Sequence, residues 1–216
     1  MDLFKAIIER RSTRNFNSKK VSEKDLNFIL EAGAYAPSSG DLKDFRFLVV
    51  DEPKKIAKIA DIANQHWLNK VGLLIVVCSD SDLATSFYNK RGEDYAKYNA
   101  AAAIQNMLLA AHALNIRSCW VGDFDKKGLR LLLKIPQEAQ CHAIIPLGYS
   151  DEKLEDPKEI DLEVNVFYGK YGFRYKKLNL ILREYAKELE ERLEKMNFKN
   201  DFGTFKTKLK KAFSKK

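Results

Sequence analysis

Apolar positions along the chain recur at two spacings, one helical and one extended. Leu3, Ala6 and Ile7, with Phe4 beside them, predict a short helix over residues 2–10. Arg10, Arg11 and Arg14 then crowd a stretch without periodicity. Ser22 opens a second predicted helix: its hydroxyl can accept from the amide of Asp25, and Val21 can pack on Leu26 across the cap. That helix is expected to run to about Ala34 and to stop before Pro37, because the residue preceding a proline disfavours helical backbone. Pro37-Ser38-Ser39-Gly40-Asp41 carries turn chemistry.

Phe45–Val50 reads as a strand, and Pro53 suits the first turn of a helix reaching about Trp67. Leu73–Cys78 is an almost unbroken apolar strand, the pattern of a sheet covered on both faces. Residues 79–93 are polar and predict a loop or a short helical insert. A long helix over about Asp94–Leu114 leaves little polar surface, so it belongs in a core or an oligomer interface. Cys119–Val121 reads as a short strand, Asp125 caps a helix that ends before Pro136, and His142–Leu147 reads as a further strand. Strands alternating with helices predict a sheet sandwiched between helical layers. Beyond these, Leu178, Ile181, Leu182, Tyr185, Leu189, Leu193 and Met196 recur at helical spacing, and a second stripe runs through Phe198, Phe202, Phe205, Leu209 and Phe213 among lysines.

The formal net charge of +8 changes meaning once located. Residues 173–216 hold 14 basic and 6 acidic side chains, and the first 172 hold 24 of each. The body is neutral and the basicity belongs to the tail, so charge does not mark the body as a nucleic-acid binder. None of the common basic-aromatic nucleic-acid motifs is present. No apolar run reaches the roughly 20 residues of a membrane span. The N-terminus lacks a signal-peptide layout, and a cytoplasmic protein is the expectation. Cys78, Cys119 and Cys141 lie in apolar runs without C-x-x-C spacing, as buried thiols do.

Most familiar chemistry is missing. The chain has no G-x-G-x-x-G, no P-loop and no G-x-S-x-G. His66, His112 and His142 have no metal-ligand spacing, and His112 on the apolar helix reads as a packed residue. Two local features remain. Arg10-Arg11-Ser12-Thr13-Arg14 gathers guanidiniums and hydroxyls that can bind phosphate or simply end a helix. Ala36–Asp41 is a small-residue loop that lets backbone approach a flat ligand, or is an ordinary turn.

Taken in order, IIERRSTRNF, EAGAYAPSSGDLKDFRFLVV, LLIVVCSD, AAAAIQNMLLAAHALNIRSCWVGDF and IIPLGYSDE resemble the FMN-dependent nitroreductase family over residues 2–172. The resemblance implies an α+β fold, a mixed β-sheet flanked by helices in an intertwined homodimer, with residues 173–216 as a basic amphipathic helical extension. It implies FMN at the subunit interface. Arg10, Ser12 and Arg14, with Arg11 beside them, would reach the phosphate, ribityl chain and pyrimidine edge. Pro37, Ser38 and Ser39 would line the ring from the other subunit, with Asp41 next to them. Val121 and Gly122 would present backbone near the ring, and Lys158 would add a phosphate ligand. No catalytic side chain is implied, because the flavin carries the chemistry: hydride from NAD(P)H, then electrons to a nitroaromatic or quinone-like acceptor.

The chain departs from the family pattern in two places. Where the family's loop usually has Asn followed by Gln-Pro-Trp, this chain has Asp41 and then Lys43-Asp44-Phe45. An acid beside the ring would oppose negative charge on a reduced flavin unless Lys43 pairs with it. The usual Gly-Leu-Gly is Asn115-Ile116-Arg117, which introduces a charge. A second reading stays open: a flavin-binding protein of low turnover whose basic tail binds an acidic partner or membrane surface.

Overall fold

The structure is a computed structural model that describes residues 3–157, 160–174 and 179–199. The chain divides into two compact units, one formed by residues 9–156 and the other by residues 2–8 with those from 157 onward.

The first unit is built on four strands: β1 (Phe45–Val50), β2 (Leu73–Asp80), β3 (Arg117–Ser118) and β4 (Ala139–Gly148), in the order β1-β2-β4-β3. All three neighbouring pairs are antiparallel. Among the described residues the parallel component is a single bridge, Ser12 to Ser118, which lays the arginine-rich stretch along the β3 edge. β2 is buried from Leu73 to Ser79 because helices cover both faces of the sheet. Leu74, Val76 and Cys78 point into one apolar layer with α3 (Pro53–Ile62) and α6 (Lys126–Leu133). Leu73, Ile75 and Val77 point into the other, with α2 (Glu23–Ala34) and α5 (Gly92–Ala113).

Local chemistry sets the ends of the elements. Ser22 caps α2, its Oγ accepting from Asp25 N at 3.1 Å, as its position in the sequence predicts. Asp125 caps α6 through Lys127 N. The helix expected to reach Trp67 stops at Ile62: Asn64 turns left-handed (φ 48°), and a tighter helical turn over His66–Lys70 carries Leu68 into the core. The polar insert forms α4 (Ser81–Tyr88), because Asp80 accepts from Leu83 N and caps it. The strand expected at Cys119–Val121 pairs earlier, at Arg117–Ser118. Val121 rejoins the sheet alone, exchanging both backbone hydrogen bonds with Ile144.

The second unit contains α1 (Leu3–Glu9, completed by a residue of the first unit), α7 (Leu162–Asn165) and α8 (Leu182–Lys199). Lys5 Nζ lies 2.8 Å from Glu190, and the Phe4 ring meets Tyr185 edge-on at 5.1 Å. α8 begins just after Ile181 of the expected stripe, and Leu178 lies outside the described residues. The Phe/Lys stripe from 200 onward lies outside the described residues, as does Lys158. Among the described residues no helix is long and apolar enough to cross a membrane.

Candidate functional site

The arginine-rich stretch is held extended. Thr13 N donates to Ser118 O at 3.0 Å and Asn17 N to Tyr149 O at 2.8 Å. Along this stretch Thr13 and Phe16 are buried, while Ser12, Arg14 and Asn15 are exposed. Arg11 folds back, its Nη1 donating to Arg10 O at 2.7 Å. Among the described residues Arg10, Arg14 and Arg117 form no ion pair.

Two of these cations, with Arg11, lie within electrostatic reach of a buried imidazole. His112, in the last turn of α5, is 4% exposed and its Nε2 has no hydrogen-bond partner. Burial, and then the charges of Arg117, Arg10 and Arg11, push its pKa down to about 4. It is neutral at pH 7, so it adds no charge to that of the nearby guanidiniums. Asn115 ends the helix in left-handed backbone (φ 58°), which asparagine tolerates where the resembling family has glycine.

The small-residue loop is fixed from beneath. Ser39 N and Ser39 Oγ both donate to Asn99 Oδ1, at 2.9 and 3.2 Å. Asn99 Nδ2 donates to Asp44 Oδ1 at 2.8 Å. The Ser39 N–H requires an acceptor, and this fixes which way the Asn99 amide points. Asp44 is fully buried, its Oδ2 unpartnered; burial pushes its carboxyl above the ordinary range, and the Asn99 bond opposes that. Gly40 and Asp41 have positive φ, at 59° and 56°, and so does Lys43, two residues further on, at 48°. Lys43 Nζ donates to Ala36 O at 2.8 Å and pairs with Asp41 Oδ1 at 3.0 Å. The loop therefore presents Pro37, Ser38 and Ser39 with the charge of Asp41 matched by its neighbour.

The structure brings some of the expected residues together and separates others. Arg10, Arg11 and Arg117 lie near enough to His112 for their charge to lower its pKa, whereas the Ser39 loop is tied to Asn99, earlier in the same helix. Thirteen residues separate Asn99 from His112, about 20 Å along α5. Of the two predicted backbone contacts, Val121 uses both its groups on Ile144, while Gly122 is exposed and keeps its N–H free among the described residues. Sequence reasoning missed the Asn99 bridge. Its signal was a lone asparagine on the buried, alanine-rich side of α5.

The chain matches the Nitroreductase family profile over residues 7–72 and 63–149. It is 34% identical over 158 residues to an Archaeoglobus fulgidus protein named among the NADH dehydrogenase/NAD(P)H nitroreductases, covering 70% of this chain and 88% of that one. A Methanothermobacter thermautotrophicus protein of the same name is 32% identical over 173 residues, covering 76% and 87%. Among solved structures, an FMN-dependent nitroreductase from Clostridium difficile superposes with a TM-score of 0.67 at 26% identity, covering 77% of this chain and 98% of its own. Fold, motif order and these matches agree that the chain belongs to the nitroreductase family.

Proposed function

We propose that this chain is an FMN-dependent oxidoreductase that works as a homodimer, taking hydride from NAD(P)H and passing two electrons to a small oxidised acceptor of nitroaromatic or quinone type. When bound, FMN supplies the redox chemistry; the protein supplies binding, orientation and electrostatics. The residues present fit that group. Arg10, Arg14 and Arg117 are cations awaiting an anion, and the loop at 37–39 offers small side chains and backbone to a planar surface.

In this reading Arg10, Ser12 and Arg14 hold the phosphate, ribityl chain and pyrimidine edge, with Arg11 bracing Arg10 from behind. Cations at the pyrimidine edge favour negative charge there. Pro37, Ser38 and Ser39 support the ring, and the Lys43–Asp41 pair keeps that face free of net charge. Gly122 turns its free N–H toward the ring while Val121 anchors it to Ile144. Lys158 is proposed as a further phosphate ligand. The proposed compartment is the cytoplasm, where NAD(P)H is available.

The observation that carries this reading is the separation along α5. A fused three-ring system is shorter than the roughly 20 Å along α5 between Asn99, which ties the loop, and His112, which lies near the arginines. Both elements meet one ring only if a second copy, its α5 antiparallel to the first, supplies the loop. The side of α5 that remains partly exposed carries Ala101, Ala102, Gln105 and Asn106, small or polar enough for a second helix to approach. The purified protein should be yellow and release FMN, not FAD, on heating, and R10A should lose it on dialysis. Under anaerobic mixing with NADH or NADPH the flavin should bleach and an added quinone restore its colour. A flavin that stays oxidised in excess donor would instead favour the low-turnover binding protein.

A further inference from the structure

Cys78 and Cys141 face each other across the two central strands, with Sγ atoms 3.5 Å apart. Both are buried and free, in the apolar layer under α3 and α6. The proposed flavin site makes no use of them.

Three features distinguish this pair from two cysteines that merely fill space. First, residues directly opposite on antiparallel strands have Cα atoms about 4.5–5.5 Å apart, inside the range a disulfide needs. Closing 3.5 Å to a bond of about 2.05 Å moves each sulfur by less than 1 Å. The pairing slips between Val77 and Cys78, which interrupts the regular ladder next to the pair. Second, a surface recess of about 270 Å³ has Cys78 among its lining residues. Arg46, Lys134, Pro136 and Glu138 on its rim are exposed, so it opens to solvent. It admits a molecule the size of a peroxide. Third, the Cys78 S–H donates to the Cys141 sulfur, and Arg130 and Lys126 add positive charge, so the Cys141 proton leaves more easily than that of an ordinary thiol. The second proton, on Cys78, is held correspondingly hard between the sulfurs.

We propose that Cys78 and Cys141 form a redox-active dithiol that a small hydroperoxide oxidises to a disulfide. The pair carries one proton between two sulfurs, and that proton can sit on either. With it on Cys141, the Cys78 thiolate at the recess attacks a peroxide oxygen. The O–O bond breaks, hydroxide leaves, and Cys78 becomes a sulfenic acid. The Cys141 sulfur then attacks the Cys78 sulfur, the S–O bond breaks, and water leaves with the Cys141 proton. Two thiols lose two electrons in total, and one hydrogen peroxide is reduced to two waters. Cys119 lies in the same layer without a sulfur partner among the described residues and serves as an internal control.

The test uses the full chain with its flavin oxidised and no nicotinamide present. The protein is exposed to hydrogen peroxide, denatured with an alkylating reagent, digested without reductant and read by mass spectrometry. Alkylatable thiols should fall from three to one, with the peptides of Cys78 and Cys141 joined and Cys119 alkylated. Dithiothreitol should restore all three. In C141S, dimedone should label Cys78 and no cross-link should form. Three thiols surviving a peroxide dose that fully oxidises free dithiothreitol would overturn the proposal, as would a disulfide through Cys119 or between chains. The wild-type measurement stands even if C141S does not fold.

Discussion

Asn99→Leu separates support of the loop from general packing, because leucine fills a similar volume without either amide group. In the folded protein the Asn99 amide joins three groups: Ser39 N, Ser39 Oγ and Asp44 Oδ1. Asp44 is fully buried and its other oxygen has no partner, so the substitution strips its carboxyl of its side-chain donor. A buried polar group left unsatisfied costs about 1–3 kcal/mol, and loss of the bond to the half-buried Ser39 adds about 1 kcal/mol. The expected destabilisation is therefore about 2–4 kcal/mol. For a chain of this length each kcal/mol lowers Tm by about 2–4 °C, giving a drop on the order of 10 °C. If half of that energy falls on the loop, FMN affinity should weaken about tenfold. Asp44→Asn is the control: it keeps the acceptor and removes a carboxyl whose ionised form burial opposes. It should be as stable as wild type or more so at pH 7. Thermal unfolding of the apoprotein and fluorescence titration with FMN read the two effects separately. An N99L protein within 1 kcal/mol of wild type and with unchanged FMN affinity would refute the bridge.

Acid should destabilise the protein between pH 6.5 and 4. The pKa values of His112 and His142 are both lowered to about 4, chiefly by burial, so the folded state binds fewer protons than the unfolded chain in that window. Stability present above pH 6.5 is lost as pH falls, and denaturant titrations of H142Q should show a shallower loss than wild type. Lys43→Ala should leave Asp41 unmatched on the loop and weaken FMN binding several-fold, with the effect shrinking when Asp41→Asn is added. Gly92→Ala places a methyl group against the backbone of Ala84 and Thr85, so α4 and α5 must separate. Gly33→Ala meets only side chains, Met107 at Cε and Cγ and the Phe47 ring, which can shift more readily than backbone. Differential scanning calorimetry should find G92A the more damaging, at about 3 kcal/mol against about 1.

Much of the fold was legible because burial leaves a strong mark on local sequence. The unbroken apolar run of β2 announced two covered faces, and Ser22 and Asp125 announced caps that formed where expected. What escaped notice depended on groups distant in sequence. Asn64 ends α3 early because Leu68 must reach the core, a tertiary demand absent from local propensity. The Lys43–Asp41 pair was posed as a condition by the departure from the family loop, and the fold meets it. Asn99 could not be linked to Asp44, 55 residues away, without the packing of α5 under the loop. Likewise His112 read as a packed residue, which its burial bears out. The three arginines whose charge reaches it come from two segments more than a hundred residues apart.

The proposal that two copies build each site is tested most directly by a mixed dimer. One tagged chain carries R10A and a differently tagged chain carries N99L; tandem purification isolates the heterodimer, and FMN bound per dimer is counted. If the arginine corner of one copy meets the loop of the other, both defects fall in one site and the second is intact, so the dimer holds one FMN at wild-type affinity. If each site were made by a single chain, both would be damaged, and the heterodimer would bind FMN no better than the two parent variants.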